Sequence, residues 1–242
     1  IIDQYPEALI VGLSATPQRL DGRGLDDVFN AIVPGPQTRW LMDEGWLSDY
    51  RAWTHAPPDL SGLKRRGADF DPDELAAKMS DAHIVGDMVE HYLEICPGER
   101  GVAFCVNVEH AITTRDAFQA AGVRAEMLDG NTPKDVRRAV LEAFRSGEVD
   151  IITSVDLFGE GFDLPEMSVA ILGRPTESLS LFLQQCGRPM RPVWAPGYDV
   201  STADARLRSI ANGSKPYSFL LDHAGNIARH GLPDAYREWT LE

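Results

Sequence analysis

At 242 residues, with 43% hydrophobic and 25% charged side chains, the chain has the composition of an ordinary globular protein, with room for one large domain or one and a fraction. No apolar run approaches the length that spans a bilayer. The net charge of −14 weighs against a broad electrostatic footprint on nucleic acid, so any such contact must be a narrow groove of local positive charge and backbone N–H groups.

Taken in order, the chain starts Ile1-Ile2-Asp3-Gln4, without an initiator Met or a basic n-region, and reads as the interior of a longer protein. Residues 8–13 are short, apolar and flanked by Pro6 and Pro17, which predicts a fully buried strand. Ser14 and Thr16 then fall at its carboxyl end, where open α/β sheets place ligands; plain turn chemistry is the alternative for Ser14-Ala15-Thr16-Pro17. A short amphipathic helix is expected over 25–33, stopped by Pro34-Gly35-Pro36. Another is expected from Thr38 to Glu44, ended by Gly45, with Trp40 turned into the core. Trp46 and Trp53 are expected to be packed, not free to stack on bases.

Residues 57–73 read as a loop rich in Gly, Pro and charge. It holds Lys64-Arg65-Arg66, the densest basic run, expected as a solvated face. Asp73-Glu74-Leu75-Ala76 echoes a D-E-x-x box, but no apolar strand precedes it, so it is not read as a metal-holding site. One or two helices follow over 73–95, with Ile84, Val85, Met88, Val89 and Tyr92 at helical spacing.

From Gly101 the pattern is regular. Residues 102–106 predict a strand, Asn107 an N-cap, and 108–121 a helix closed by Gly122. Residues 124–128 predict a strand, and Thr132-Pro133-Lys134-Asp135 a capped helix start with Pro at N1, running to Ser146-Gly147. Further strands are expected at 149–153, 169–172 and 217–221. This alternation means βαβ units and a parallel sheet covered on both faces. Asp222 and His223 stand either as an acid–base pair or as turn formers. The three cysteines, Cys96, Cys105 and Cys186, are widely spaced with no C-x-x-C, which argues against zinc or a disulfide scaffold and fits a reducing cytoplasm.

Two stretches carry chemistry. Gly159-Glu160-Gly161-Phe162-Asp163-Leu164-Pro165 follows the strand at 149–153. Gln184-Gln185-Cys186-Gly187-Arg188-Pro189-Met190-Arg191 reads Q-x-x-G-R-x-x-R, two forked cations beside a glycine that admits close backbone approach. That pattern suits clustered negative charge such as a nucleoside triphosphate. Two surface arginines at a helix end are the bland alternative.

With Ser14-Ala15-Thr16 in the place of motif III, Ser154 to Asp163 in that of motif V and Gln184 to Arg191 in that of motif VI, the chain resembles the superfamily 2 helicases and translocases of the DEAD/DEAH-box kind, bacterial or phage type. The resemblance covers nearly the whole chain. It implies an α/β, RecA-like fold, with 1–36 the end of a first RecA-like domain, 37–82 an interdomain linker or extension, and 83–242 the second RecA-like domain. It further implies that Arg188 and Arg191 act as arginine fingers and that Gln184 positions nucleotide or attacking water. Gly161, Asp163 and Gly187 would line the nucleotide, and Ser14 and Thr16 would couple the two domains. Thr153, Ser154, Asn107, Thr132 and Arg137 would track a sugar–phosphate backbone, Arg137 being alternatively a surface residue paired with Glu142.

Only four lysines are present, none in G-x-x-x-x-G-K-[ST]. ATP and Mg2+ would therefore be bound mainly by an N-terminal RecA-like domain, this chain holding no metal itself and being inactive alone. Glu160 in place of a basic residue, and Gln at 184 in place of His, point to DNA over RNA. A non-catalytic helicase-like scaffold and a doubly wound nucleotide-binding module are the alternatives. The intact arginine pair speaks against the first, and the lack of a G-x-G-x-x-G against the second.

Overall fold

Val102, Ala103 and Phe104 show how the sheet is built. Successive side chains point to opposite faces, and each face finds its own apolar cluster. The computed structural model describes residues 8–19, 24–67, 69–155 and 163–241. In chain order these form α1 (Thr38–Asp43), β1 (Asp49–Thr54), β2 (Arg65–Arg66), β3 (Asp69–Phe70), α2 (Pro72–Met79), α3 (Ala82–Ile95), β4 (Gly101–Phe104) and α4 (Val108–Ala120). After them come β5 (Ala125–Leu128), α5 (Lys134–Ser146), β6 (Ile151–Ser154), β7 (Val169–Leu172), α6 (Leu179–Gly187), α7 (Ala203–Ala211), β8 (Tyr217–Asp222) and α8 (Asn226–His230).

Six strands pair in parallel in the order β1-β8-β7-β4-β6-β5. On one face Val102, Ile152, Ala170, Leu172 and Leu220 meet Leu141 and Phe144 of α5 and Phe182 and Cys186 of α6. On the other, Ala103, Ile151, Ile171 and Leu221 meet Val85, Met88 and Tyr92 of α3 and Phe118 of α4. A parallel sheet buried on both sides by crossover helices is the RecA-like architecture anticipated above. A satellite cluster of Phe70, Leu75, Ala76, Met79 and Val106 seats α2 and the β2–β3 hairpin. Asp73 and Glu74 lie in the first turn of α2, capped by Asp71, so the D-E-x-x echo is a helix start.

Several expectations are corrected. Residues 8–13 form no strand, and Leu9 and Leu13 are 91% and 96% exposed. A parallel strand needs neighbours for its N–H and C=O groups, and no described strand lies beside this segment. The helix expected over 25–33 is a single turn, closed by the Leu25 carbonyl on the N–H groups of Val28 and Phe29. In α1 the side chain turned inward is Met42, and Trp40 is half-exposed. Trp46 and Trp53 are also half-exposed. Trp46 meets the Arg206 guanidinium at 3.9 Å and the Trp194 ring edge-on at 6.3 Å, and Trp53 stacks on Phe219 at 5.8 Å.

The stretch 37–82, expected as linker or extension, supplies an edge strand: β1 pairs along its whole length with β8, Trp53 opposite Leu221. At α5 the N-cap position belongs to Pro133, and Thr132 turns its hydroxyl back onto Asp129 instead.

Candidate functional site

The face of α6 decides what the arginine-bearing stretch can do. Ser178 caps the helix, its hydroxyl accepting from the Leu181 N–H at 3.3 Å. Leu181 is buried, and Phe182 and Cys186 join the apolar cluster on one face of the sheet. Residues four apart share a face, which aligns Ser180, Gln184 and Arg188. Thr16 lies buried on that line: its hydroxyl is 2.8 Å from that of Ser180, and the Gln184 amide donates to both hydroxyls at 3.3 Å. Ser14 shapes the approach, its hydroxyl donating to the Thr16 carbonyl and accepting from the Thr16 N–H. The structure thus joins the Ser-Ala-Thr segment to the Q-x-x-G-R-x-x-R segment across more than 160 residues.

Arg188 follows at the end of α6, half-buried. Burial pushes its pKa below the ordinary guanidinium value, and the neighbouring charge of Arg191 pushes the same way, while Asp163 opposes both. Arg191 is ion-paired with the exposed carboxylate of Asp163, whose carbonyl accepts from Arg145 at 3.1 Å. Two like charges held this close lower each other's stability, and an anion arriving between them relieves that cost. A Cβ added to Gly187 would meet nothing within 4 Å, so the backbone beside the pair is open. Gly161, and Glu160 before it, lie outside the described residues.

The loop leading into α6 is fixed by residues that sequence reasoning did not single out. Asp69 accepts from the Thr176 hydroxyl at 2.8 Å and the Glu177 N–H at 3.0 Å. The buried Asn226 accepts from the Thr176 N–H and donates to the Arg174 carbonyl. Ser180 was legible in principle, standing one helical turn before Gln184. Asp69 and Asn226 carry no local signal, because their partners are distant in sequence.

Residues 85–193 match the family model for the helicase conserved C-terminal domain. This part of the chain is a superfamily 2 helicase C-terminal domain. The chain is 30% identical over 239 residues to a 51.5 kDa protein of a Lactococcus phage, covering 99% of this chain and 48% of that protein. It is 27% identical over 186 residues to the Saccharomyces cerevisiae protein provisionally named ATP-dependent helicase IRC3, covering 75% of this chain and 27% of the relative. The chain thus spans about half of the phage relative and less of the yeast one. The solved structure of T4 UvsW matches 72% of this chain and 32% of its own at 14% identity, with a TM-score of 0.47. Further relatives carry names that specify DNA in one case and RNA in another.

The nucleic-acid candidates of this helicase domain sit at the carboxyl ends of β4, β5 and β6, but their side chains are largely committed. Asn107 caps α4, accepting from the His110 N–H at 2.9 Å. Thr153 is buried and donates to the Ala111 carbonyl at 2.8 Å, so its hydroxyl is turned inward onto α4. Ser154 is also buried, its hydroxyl without a hydrogen-bond partner among the described residues. Thr132 and Asp129 close a tight loop, and Arg137 donates to the Asp129 carbonyl at 2.7 Å. Glu109 and Asp135 occupy the first turns of α4 and α5, where they stabilise the helices and oppose a phosphate.

Asp222 is a turn former: its two oxygens accept from the N–H groups of Ala224 and Ile227 at 3.0 and 2.7 Å. His223 does not face it as an acid–base partner. It stacks with His55 and His91, ring centroids 6.0 and 5.1 Å away, and burial pushes its pKa down to about 3. Cys96, Cys105 and Cys186 are free and buried. Among the described residues no three His, Cys, Asp or Glu side chains are arranged to hold a metal, and no helix is long and apolar enough to cross a membrane.

Proposed function

We propose that the full-length protein is an ATP-dependent nucleic-acid helicase or translocase, in which this domain supplies Arg188 and Arg191 as arginine fingers across a cleft to an N-terminal RecA-like domain. The carrying observation is the Thr16–Ser180–Gln184 contact on the α6 face that ends in Arg188. It ties a segment assigned to the first domain to the arginine pair, and so gives domain closure a route to Gln184 and Arg188. The residues fit a triphosphate: two forked cations lie close together beside an open backbone, with Asp163 holding Arg191 in place. When bound, ATP with Mg2+ supplies the phosphoryl group whose charge grows as it transfers; the metal is assigned to the N-terminal half. Gln184, held by two hydroxyls, orients its amide toward the same cleft.

The substrate we assign is DNA, on Gln184 in place of His and Glu160 in place of a basic residue, and the compartment the cytoplasm, on three reduced cysteines. This chain alone, lacking a P-loop motif, is assigned no turnover of its own. The test is Arg188→Ala and Arg191→Ala in the full-length protein, by single-turnover hydrolysis at saturating ATP with parallel nucleotide binding. An arginine finger is worth on the order of 10³–10⁵ in rate. Each variant should lose much of that while keeping most of its affinity, and Lys should rescue neither because it lacks the planar fork. Near-parental turnover in both variants would return the pair to ordinary surface arginines.

A further inference from the structure

Lys215, in the loop before β8, is buried and takes no part in the site described above. Its ammonium donates to the carbonyls of Pro165 at 2.6 Å and Met167 at 3.0 Å. These lie on a turn closed by the Met167 N–H on the Leu164 carbonyl, directly after Asp163. The turn is therefore anchored from behind by Lys215, while Asp163 in front of it pairs with Arg191. A buried ammonium is costly unless its protons are used, and here two carbonyls use them.

We propose that Lys215 is a positioning residue for the arginine pair: through the Pro165 and Met167 carbonyls it holds the arm that carries Asp163, and so sets where Arg191 stands in the cleft. The inference rests on the functional reading above and adds to it a residue that touches neither nucleotide nor nucleic acid. The charges facing Lys215 come from each element around it: Glu166 on the arm itself, Arg191 beyond α6, and Arg100 and Glu99 ahead of β4. Burial outweighs the two acids, the two arginines act with it, and the pKa of Lys215 is lowered to about 8. The ammonium is thus in place at neutral pH and is lost as pH rises through about 8. Across that same rise the group does not weaken the fold. Its folded value lies below its ordinary one, so deprotonation above pH 8 favours the folded state. The neutral amine keeps two N–H groups for the two carbonyls but loses the charge assistance that strengthens both hydrogen bonds, so alkaline pH loosens the arm without weakening the fold, and only a positioning lysine turns that loosening into lost rate.

The experiment uses the full-length protein with Lys215→Met and Lys215→Arg. It reads single-turnover rate and nucleotide affinity from pH 6.5 to 9.5, hydrogen exchange of the 163–168 amides, and a melting curve. Displacing a catalytic group by about an ångström costs on the order of 10²-fold. Lys215→Met should lose rate on that scale with affinity nearly unchanged, and should exchange faster over 163–168. The parent rate should fall above pH 8, and Lys215→Arg, which stays charged, should hold its rate there. Faster exchange or a lower melting temperature with parental rates would make Lys215 structural only and overturn the proposal, as would unchanged exchange. If the parent shows no turnover that depends on Arg188, the functional reading fails by itself, and the exchange measurement alone decides whether Lys215 holds the arm.

Discussion

Acid should unfold this domain through two histidines. His110 is buried, and its Nδ1 accepts from the Val106 N–H at 3.2 Å, so a proton there would face another proton. Burial lowers its pKa to about 4. His223 is buried with its Nδ1 unpartnered among the described residues, and burial lowers its pKa to about 3, the nearby His91 and His55 acting in the same direction. Both values lie below the ordinary 6.5, so the unfolded chain binds these protons first. Their contribution to stability is intact above pH 6.5 and is lost as pH falls toward 3–4. At pH 5 each unfolded imidazole is protonated to an extent worth about 2 kcal/mol while the folded ones remain neutral, so the pair removes about 4 kcal/mol relative to pH 7.5. That figure holds for any folded value well below 5, and it is a large part of the roughly 5–15 kcal/mol that holds a domain together. Urea unfolding at pH 7.5, 6 and 5 should show this loss on top of the carboxylate background. His110→Asn keeps an acceptor for Val106 and His223→Phe keeps the ring. Each should remove about half of the acid-specific loss, and the double variant nearly all of it. Equal acid sensitivity in parent and double variant would show that these imidazoles open to water before they titrate, and the argument from burial would fail.

Gly45→Ala should destabilise by at least about 1–2 kcal/mol, because Gly45 has φ 71° and an added Cβ would stand 2.8 Å from the Arg206 Cβ. Gly62→Ala, at φ 81° in open space, carries the backbone strain alone, so its melting temperature should fall less; equal shifts would deny the contact with α7. Binding of single-stranded DNA by this chain should be weak, indifferent to sequence and steeply salt-dependent, since the protein is acidic and its groove side chains are committed inward. A tight or base-specific complex at physiological salt in a fluorescence titration would contradict that.

The central sheet was readable from sequence because burial on both faces leaves continuous apolar runs, as in Val169-Ala170-Ile171-Leu172, all of them buried. β1 was not readable: five of its six residues are exposed, and its place is set by backbone pairing with β8. The run at 8–13 has the same look as a core strand, but an apolar pattern states only a demand for cover; among the described residues the Phe29 ring lies against Gly12, while Leu9 and Leu13 stay exposed. Within the candidate site, the α6 face followed from helical spacing once Gln184 and Arg188 were marked. Thr16 reaching that face, and Lys215 reaching two carbonyls fifty residues away, are tertiary facts with no local signature. Thr153 and Arg137 each donate to a carbonyl of this chain, since a polar residue at a strand end or helix start serves the protein's own backbone as readily as a ligand's, and spacing alone does not tell the two apart.

The pairing of β1 with β8 also governs how the chain is made. Trp53 leaves the ribosome about 170 residues before its partner Leu221, a wait on the order of ten to thirty seconds at about 5–20 residues per second. Through that interval the segment 49–54 carries an unpaired backbone with Trp53 uncovered, and from the emergence of Leu172 onward β7 also has no neighbour on its outer side. The register of the sheet edge is therefore settled last among the six strands, by Tyr217–Asp222. A nascent protein stalled before Tyr217 would hold four of the six strands in place and remain exposed to pairing with a second copy at that edge.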